Sequence, residues 1–181
     1  MDKLIIFIKN PELGKVKTRL AATIGNEKAL EIYSRLIQYT LSISKIKNVE
    51  VNLFFSDFIS KDYNGHEKHL QEGNDLGEKM KKAFDKCFSD GGKKVIIIGT
   101  DCAQLTEELI VEAFDKLDSF PVVIGPALDG GYYLLGMKKS ITGIFDGINW
   151  STSSVFSETK LKLEDSGILF SILKELRDID T

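Results

Sequence analysis

The sequence predicts an α/β protein in which a mostly parallel central sheet carries helices on both faces and includes one antiparallel strand. Uninterrupted apolar runs at residues 4–8 (LIIFI) and 95–98 (VIII) are typical of strands that are buried on both faces. Between and after these runs, strand-like segments alternate with segments whose apolar residues recur at helical spacing, as in βαβ units. The second run ends in Gly99, Thr100 and Asp101. Because open α/β sheets bind ligands at the carboxyl ends of their strands, we expect Asp101 to lie at a binding site and to hold a metal ion.

The remaining elements follow from apolar periodicity and from the residues that begin and end helices. Further strands are predicted at residues 49–55, 120–125, 132–136 and 168–173, and helices at residues 28–44, 76–88, 107–117 and 155–165. Thr106 is expected to cap the helix that follows it, and residues 132–136 supply the antiparallel strand. The polar segment 57–69 is predicted to be a loop. No repeat or linker divides the chain, so residues 1–181 are expected to form a single domain.

The composition argues against several classes of function. The chain has 181 residues, of which 43% are hydrophobic and 28% are charged, as in an ordinary globular protein with a packed core. Its net charge of -3 argues against a general nucleic-acid-binding protein, which is usually basic. No apolar run approaches the roughly 18 residues that a membrane span requires. The amino terminus lacks the long apolar core and the cleavage site of a secretory signal, so we expect a cytoplasmic protein.

Two cysteines, Cys87 and Cys102, are too few for a disulfide framework or a cysteine zinc site. Cys102 follows Asp101 and so has the position of a candidate nucleophile. Neither His66 nor His69 lies in a motif that would activate it. We therefore expect Cys102 to pack in the core, and both histidines to be exposed loop residues.

A cationic loop follows the first strand. Lys9, Lys15, Lys17 and Arg19 lie close together in an otherwise acidic chain, and a proline and Gly14 indicate a loop. A loop of this kind between a strand and a helix is suited to phosphates, because backbone N–H groups attract anions and lysine or arginine adds charge. The glycine spacing of a Walker A loop is absent. The segment is therefore either a phosphate-binding loop or a solvated basic turn.

Two glycine-containing stretches are further candidates. Asp75 can cap the helix at 76–88, and Gly77 in its first turn either packs closely or lets a ligand approach the backbone. Asp129 is followed by Gly130 and Gly131, which predicts a hairpin turn and also permits close approach of a ligand. We favour a hairpin that presents Asp129 to a ligand.

Four stretches in order resemble a known family: KNPELGKVKTRL (9–20), QEGNDLGEKM (71–80), GTDCAQL (99–105) and GPALDGGYYLLG (125–136). Together with WSTSSVF (150–156) and the terminal RDIDT, they are similar to the radical-SAM/selenodomain-associated transferases. This family belongs to the nucleotide-diphospho-sugar transferase superfamily. The resemblance runs in register from Lys9 to Thr181. It implies a three-layer α/β/α structure with a Rossmann-like sheet of the GT-A type. One departure is Ala103, where the family usually has proline, and the exchange is expected to loosen the turn after Asp101 slightly.

The resemblance also implies a nucleotide site and roles within it. Asp101 corresponds to the metal-binding aspartate, and Mg²⁺ or Mn²⁺ is the implied cofactor, held by one or two carboxylates together with phosphates. Asp180 is the favoured second carboxylate. Asp129 is favoured on the acceptor side as a base or hydrogen-bond acceptor, although the roles of these two aspartates could be exchanged. Lys15, Lys17 and Arg19 would stabilise charge on the leaving group. The residues implied to bind the nucleotide are Lys9, Gly14, Lys15, Lys17, Thr18, Arg19, Asp75, Gly77, Thr100, Gly130 and Gly131.

The expected function is therefore that of a metal-dependent transferase with a nucleotide-activated donor, with glycosyl transfer from a nucleotide sugar to a small acceptor as the leading form. The first alternative is a nucleotidyltransferase that joins an NTP to a phosphorylated small molecule and releases pyrophosphate. The second is a non-catalytic nucleotide-binding protein that works as a partner of another enzyme. The expected ligands are in each case small molecules, not nucleic acid.

Overall fold

The computed structural model describes residues 1–179. These residues form seven strands, five α-helices and a short 3-10 helix at Thr142–Phe145. The strands are β1 Asp2–Ile8, β2 Val49–Phe55, β3 Glu67–Leu70, β4 Val95–Ile98, β5 Val122–Pro126, β6 Tyr132–Met137 and β7 Phe170–Ile172. The helices are α1 Thr18–Ile24, α2 Asn26–Ile43, α3 Leu76–Ser89, α4 Glu107–Ser119 and α5 Val155–Asp165.

The strands form one mixed sheet in the order β3-β2-β1-β4-β6-β5-β7. Strand β6 is antiparallel to both of its neighbours, and every other pair is parallel. This arrangement confirms the predicted α/β class and its single antiparallel strand. The register pairs Ile6 of β1 with Ile98 of β4. The loops that follow these two strands therefore begin at the same edge of the sheet.

Alternation along the central strands divides the core into two layers. Leu4, Ile6, Ile96 and Ile98 face a cluster that includes residues of α2 and α4. Ile5 and its neighbours on β4 face a second cluster, to which α3 and α5 contribute. Both faces of the sheet are thus covered by helices, which explains why the central strands are continuous apolar runs.

Several elements match the predicted bounds and others differ. Strands β2 and β4 and helix α5 have the predicted bounds, and the Thr106 side chain accepts a hydrogen bond from Leu109 N as the predicted cap of α4. The interpretation of 57–69 as a loop was wrong at its end, because residues 67–70 form the edge strand β3. Within the described part of the chain this edge strand pairs with β2 alone, and it carries little apolar sequence, so it lacks the pattern of a buried strand. Helix α1, which follows the cationic loop, was also missed.

Among residues 1–179, no helix has the combination of length and apolar character needed to cross a lipid bilayer.

Candidate active site

A cleft lies at the carboxyl ends of the central strands and contains two adjoining cavities. The first has a volume of about 400 Å³ and the second a volume of about 530 Å³. The cavities share six lining residues: Lys9, Tyr33, Leu76, Asp101, Tyr132 and Asp178. Asp101, which was expected to lie at a binding site, therefore lies at the junction of the two cavities.

Asp101 forms an ion pair with Lys17 of the cationic loop. The distance from Lys17 Nζ to Asp101 Oδ1 is 2.6 Å. The lysine side chain is only 5% exposed, whereas that of the aspartate is 50% exposed. Lys17 also donates a hydrogen bond to the carbonyl oxygen of Ile179. Its backbone is left-handed, with φ of 47°, and so turns the chain into α1. The charged loop and the end of β4 are thereby joined directly.

A buried chain of hydrogen bonds holds the neighbouring backbone in place. Lys9 N donates to the Tyr33 hydroxyl at 2.9 Å, and that hydroxyl lies 2.9 Å from Thr100 Oγ1. Thr100 in turn donates to the carbonyl of Phe7. Burial raises the pKa of Tyr33 well above the ordinary range, so its phenol stays protonated and can donate to Thr100. The ends of β1 and β4 are thus tied to α2 beside Asp101.

The carboxyl-terminal segment runs along the same edge of the cleft. Ile179 N donates to Asp101 O at 2.9 Å, and Arg177 N donates to Gln104 Oε1 at 2.9 Å. These bonds bring Asp178 into the lining of both cavities. The predicted metal ligand Asp180 lies outside the described residues. Sequence reasoning missed Asp178, although the terminal RDID already contains both acidic residues.

Cys102 lies beneath this segment and is 6% exposed. Burial raises the pKa of its thiol to about 11, so the thiol stays protonated near neutral pH. Its Sγ lies 3.6 Å from the carbonyl oxygen of Arg177. These features agree with the predicted packing role and not with that of an activated nucleophile.

The cationic loop contributes unequally to the cleft. Lys9, Val16 and Lys17 of the loop line the second cavity, together with Thr18 and Arg19, which the structure places in the first turn of α1. Lys15 instead pairs with Glu12 at 3.0 Å and is exposed, and Gly14 adopts a φ of +76° where the loop turns. Neither Lys15 nor Gly14 lines the two cavities. The nucleotide-binding role implied for these residues remains a prediction.

Asp75 and Gly77 have local structural partners. The Asp75 carboxylate accepts a hydrogen bond from Glu78 N at 2.8 Å and so caps α3. A Cβ added to Gly77 would lie 2.4 Å from Nε1 of Trp150. The group that approaches Gly77 closely is therefore the indole of Trp150, which sequence reasoning did not assign. Neither residue lines the two cavities, and their implied role in binding nucleotide stays a prediction.

The turn between β5 and β6 carries the glycine pair. Asp129 Oδ1 accepts a hydrogen bond from Gly131 N at 2.9 Å within the predicted hairpin. Asp129 and Gly131 line the second cavity, and Thr100 lines the first. Gly130 lines neither cavity, and a Cβ added to it would lie 2.0 Å from the carbonyl oxygen of Ser153. Gly130 therefore makes room for the turn that carries Trp150.

Within residues 1–179, no group of three or more His, Cys, Asp or Glu side chains is arranged to hold a metal ion. The acidic groups that line both cavities are Asp101 and Asp178.

Two solved structures of low sequence identity have a similar fold. A 4-diphosphocytidyl-2C-methyl-D-erythritol synthase from Anaerococcus prevotii DSM 20548 has a TM-score of 0.61 at 13% identity, over 96% of this chain and 86% of that chain. The Rv0371c protein of Mycobacterium tuberculosis H37Rv, in complex with manganese, has a TM-score of 0.56 at 11% identity, over 100% of this chain and 94% of that chain. At these identities the likeness is one of fold. No curated protein matches the sequence significantly.

Closer similarity identifies the family. A crystal structure of a candidate nucleotide-diphospho-sugar transferase from Desulfovibrio desulfuricans G20 has a TM-score of 0.93. It is 33% identical, and the alignment covers 100% of this chain and 84% of that chain. Residues 40–152 match the model of a family described as uncharacterized protein conserved in bacteria (DUF2064). The chain belongs to the DUF2064 family and has the fold of the nucleotide-diphospho-sugar transferases.

Proposed function

We propose that this protein is a metal-dependent transferase that binds a nucleotide-activated donor in the cleft, and that it transfers a glycosyl group from a nucleotide sugar to a small acceptor. The observation that carries the proposal is the pair formed by buried Lys17 and half-exposed Asp101 at the junction of the two cavities. A nucleoside diphosphate needs a cation and a metal-binding carboxylate at one point, and this pair supplies both.

The first cavity is suited to the nucleoside. Its lining includes the aromatic side chains of Phe7, Tyr33 and Tyr132, together with Leu76 and Met80. Ligand sites are commonly apolar and aromatic with a few polar groups, and a base can stack on such side chains. A nucleoside bound there would direct its phosphates towards Asp101 and Lys17.

The phosphates would meet the cationic part of the cleft. Lys9, Lys17 and Arg19 all line the second cavity. Since the Lys17 ammonium is buried, its attraction for a phosphate is weakly screened by water. The three side chains would bind the donor and stabilise the negative charge that collects on the departing nucleoside diphosphate.

The acidic residues fit a divalent ion that arrives with the nucleotide. Mg²⁺ binds proteins through one or two carboxylates together with substrate phosphates. Asp101 and Asp178 border the same part of the cleft, and we propose that Asp101 holds the ion with Asp178 or Asp180 as its second carboxylate. When bound, Mg²⁺ or Mn²⁺ would supply Lewis-acid stabilisation of the leaving phosphate.

Asp129 is the proposed acceptor-side residue. It is exposed in the second cavity, and its Oδ1 is oriented by Gly131 N. An ionised carboxylate in this position can accept the proton of an attacking hydroxyl or fix that hydroxyl by a hydrogen bond.

Nucleotidyl transfer is the second candidate. It is favoured by the presence of three cationic side chains in one cavity, because a triphosphate carries more charge to neutralise than a diphosphate does. In that reaction the hydroxyl or phosphate oxygen of the acceptor attacks the α-phosphate, and pyrophosphate departs.

Product analysis separates these reactions. Incubation with nucleotide sugars, small acceptors and Mn²⁺ should release nucleoside diphosphate without pyrophosphate. Pyrophosphate release from NTPs and phosphorylated metabolites would replace the glycosyl proposal with the nucleotidyl one. Nucleotide binding without either product would indicate the non-catalytic partner protein.

Domain organisation, cellular location and family branch also follow from the sequence as proposals. We propose that residues 1–181 form one domain and that the protein acts on small molecules in the cytoplasm. We also propose that the chain belongs to the radical-SAM/selenodomain-associated branch that its motifs resemble.

A further inference from the structure

We propose that Trp150 forms the platform of a carbohydrate subsite in the second cavity, where a sugar ring lies against the indole beside Asp129. This inference rests on the proposed function, because it assigns the part of the cleft that would hold the sugar side of the reaction. The nucleotide roles described above do not use Trp150.

Close packing fixes the indole at the cavity wall. Trp150 is the single tryptophan of the chain and lines the second cavity. A Cβ at residue 77 would lie 2.4 Å from both Cε2 and Nε1 of the indole, so only glycine leaves room for it there. The ring centre lies 6.3 Å from that of Phe145. The indole is therefore held by α3 and the core, and can serve as a rigid platform.

Hydrogen bonds hold the turn that carries Trp150. Glu158 accepts from Asn149 N and from Asn149 Nδ2, both at 2.8 Å, and from Ser154 Oγ at 2.6 Å. These bonds lower the pKa of Glu158, which therefore stays ionised and keeps them. Thr152 Oγ1 donates to Asn149 O at 2.7 Å. The turn is thus ordered before any ligand binds.

Polar groups suited to sugar hydroxyls surround the platform. Ser151 and Ser153 line the cavity and are exposed, and their hydroxyls hydrogen-bond to no other residue within the range 1–179. Asp129 has a carboxylate in the same wall. An aromatic side chain with nearby hydroxyl and carboxylate groups matches a ring that has apolar C–H faces and polar hydroxyl edges.

The charge of the cavity favours a hydroxyl-rich ring over a second anionic group. Among residues 1–179, its lining contains three cationic and three acidic side chains: Lys9, Lys17, Arg19, Asp101, Asp129 and Asp178. These formal charges cancel. Lys17 pairs with Asp101 and Lys9 lines both cavities, so two of the cations lie where the phosphates of the donor would lie. Trp150 and residues 151–153 of its turn are uncharged.

A sugar ring in this subsite could belong to the donor or to the acceptor. The recognition chemistry is the same in both cases, and fluorescence titration with conjugates and with free sugars separates the two sources.

Intrinsic fluorescence is a direct probe, because all tryptophan emission comes from Trp150. Emission would be measured with Mn²⁺ and UDP, GDP, CDP, ADP or dTDP, then with the matching glucose conjugates, and then with free glucose, galactose and mannose with or without the diphosphate. A larger change with a glucose conjugate than with its diphosphate would assign the ring to the donor. A change with a free sugar would assign it to the acceptor. Either result supports the subsite.

Variants give an independent check. In Asp129→Asn the sugar affinity obtained from the fluorescence change should fall about tenfold or more. The diphosphate affinity, measured by calorimetry, should stay close to that of wild type. Asp115→Asn, an exposed change on α4, is the control and should alter neither. The proposal is overturned if no sugar or conjugate changes the emission beyond the diphosphate alone, or if Asp129→Asn leaves the sugar response intact. Absence of diphosphate binding in calorimetry, with the sugar response retained, would instead refute the proposed donor function alone.

Discussion

At the residue scale, Lys17 and Asp101 are bound to each other in a position where each could bind a ligand. The aspartate keeps half of its surface open to the cleft, whereas the lysine is buried against it. A nucleotide that brings a divalent ion would offer a phosphate to the lysine and the ion to the carboxylate. Ligand binding would then break the ion pair between Lys17 and Asp101 and replace it with a lysine–phosphate contact and a carboxylate–metal contact.

Replacing Lys17 tests this exchange. We expect Lys17→Met to bind Mn²⁺ several-fold more tightly than wild type when no nucleotide is present, because Asp101 no longer pairs with an ammonium. Nucleoside diphosphate affinity should fall about tenfold or more, since a hydrogen bond to a charged group is worth about 1.5–3 kcal/mol. Both affinities can be measured by calorimetry. Lys28→Met, at an exposed position on α2, is the control. Unchanged affinities for both ligands in Lys17→Met would contradict the exchange.

At the element scale, the turn before α5 and the start of α3 depend on each other. Gly77 lies in the first turn of α3 and is in contact with the indole of Trp150. Gly130 makes room for Ser153 of the same turn, and Phe156 N donates to Gly130 O at 2.8 Å. Each glycine thus leaves room for a different residue of the turn, Gly77 for Trp150 and Gly130 for Ser153.

A methyl group at Gly77 tests this packing. We expect Gly77→Ala to lower the free energy of unfolding by about 1–3 kcal/mol, as overpacking does, and to shift the emission of Trp150 as the indole is displaced. Urea unfolding and fluorescence measure the two effects. Gly143→Ala is the matched control, because a Cβ at that position meets nothing within 4 Å. A Gly77→Ala variant with wild-type stability and emission would show that the contact does not constrain the turn.

The edge strand β3 introduces a dependence on pH. The ring of His69 lies 4.7 Å from that of Phe54, and burial lowers the pKa of its imidazole. The unfolded chain therefore binds a proton more readily than the folded one. The stability gained from neutral His69 is complete above the ordinary histidine pKa of about 6.5 and is lost as the pH falls below it.

Urea unfolding at several pH values checks this direction. Stability should fall as the pH is lowered from about 7 to about 5, and His69→Phe should remove part of that fall. His66→Phe is the control, because His66 lies outside β3 and makes no ring contact among the described residues. An identical slope in His69→Phe and wild type would contradict the assignment to His69. Both histidines were expected to be exposed, and both expectations were wrong, because His66 and His69 are half-buried and His69 lies in β3. The polar sequence of β3 does not reveal its pairing with β2.

At the scale of the whole molecule, sheet order brings the cleft together. Strands β1 and β4 are neighbours, so the cationic loop after the first meets Asp101 after the second. The carboxyl-terminal segment then crosses the same edge through Ile179 and Arg177. The cleft is therefore formed by segments that are far apart in sequence.

This construction explains what could be predicted from the sequence. Buried strands such as β4 and capped helices such as α4 have local patterns, and they were predicted within a few residues. The position of Asp101 followed from the end of its strand. Long-range contacts have no such pattern, so the pairing of Lys17 with Asp101, the entry of Asp178 and the packing of Trp150 on Gly77 could not be predicted. For Gly77, the sequence indicated a close approach but could not identify the indole as the approaching group.

The most direct test of the account is calorimetric titration of wild type and Asp101→Asn with nucleoside diphosphates, with and without Mn²⁺. Urea unfolding of both proteins verifies that the variant is folded. If Asp101 holds a metal that bridges to the phosphates, Mn²⁺ should tighten nucleotide binding to wild type about tenfold or more and should have no such effect on Asp101→Asn. Equal tightening by Mn²⁺ in both proteins, or nucleotide binding in neither, would contradict the proposed metal-assisted nucleotide site.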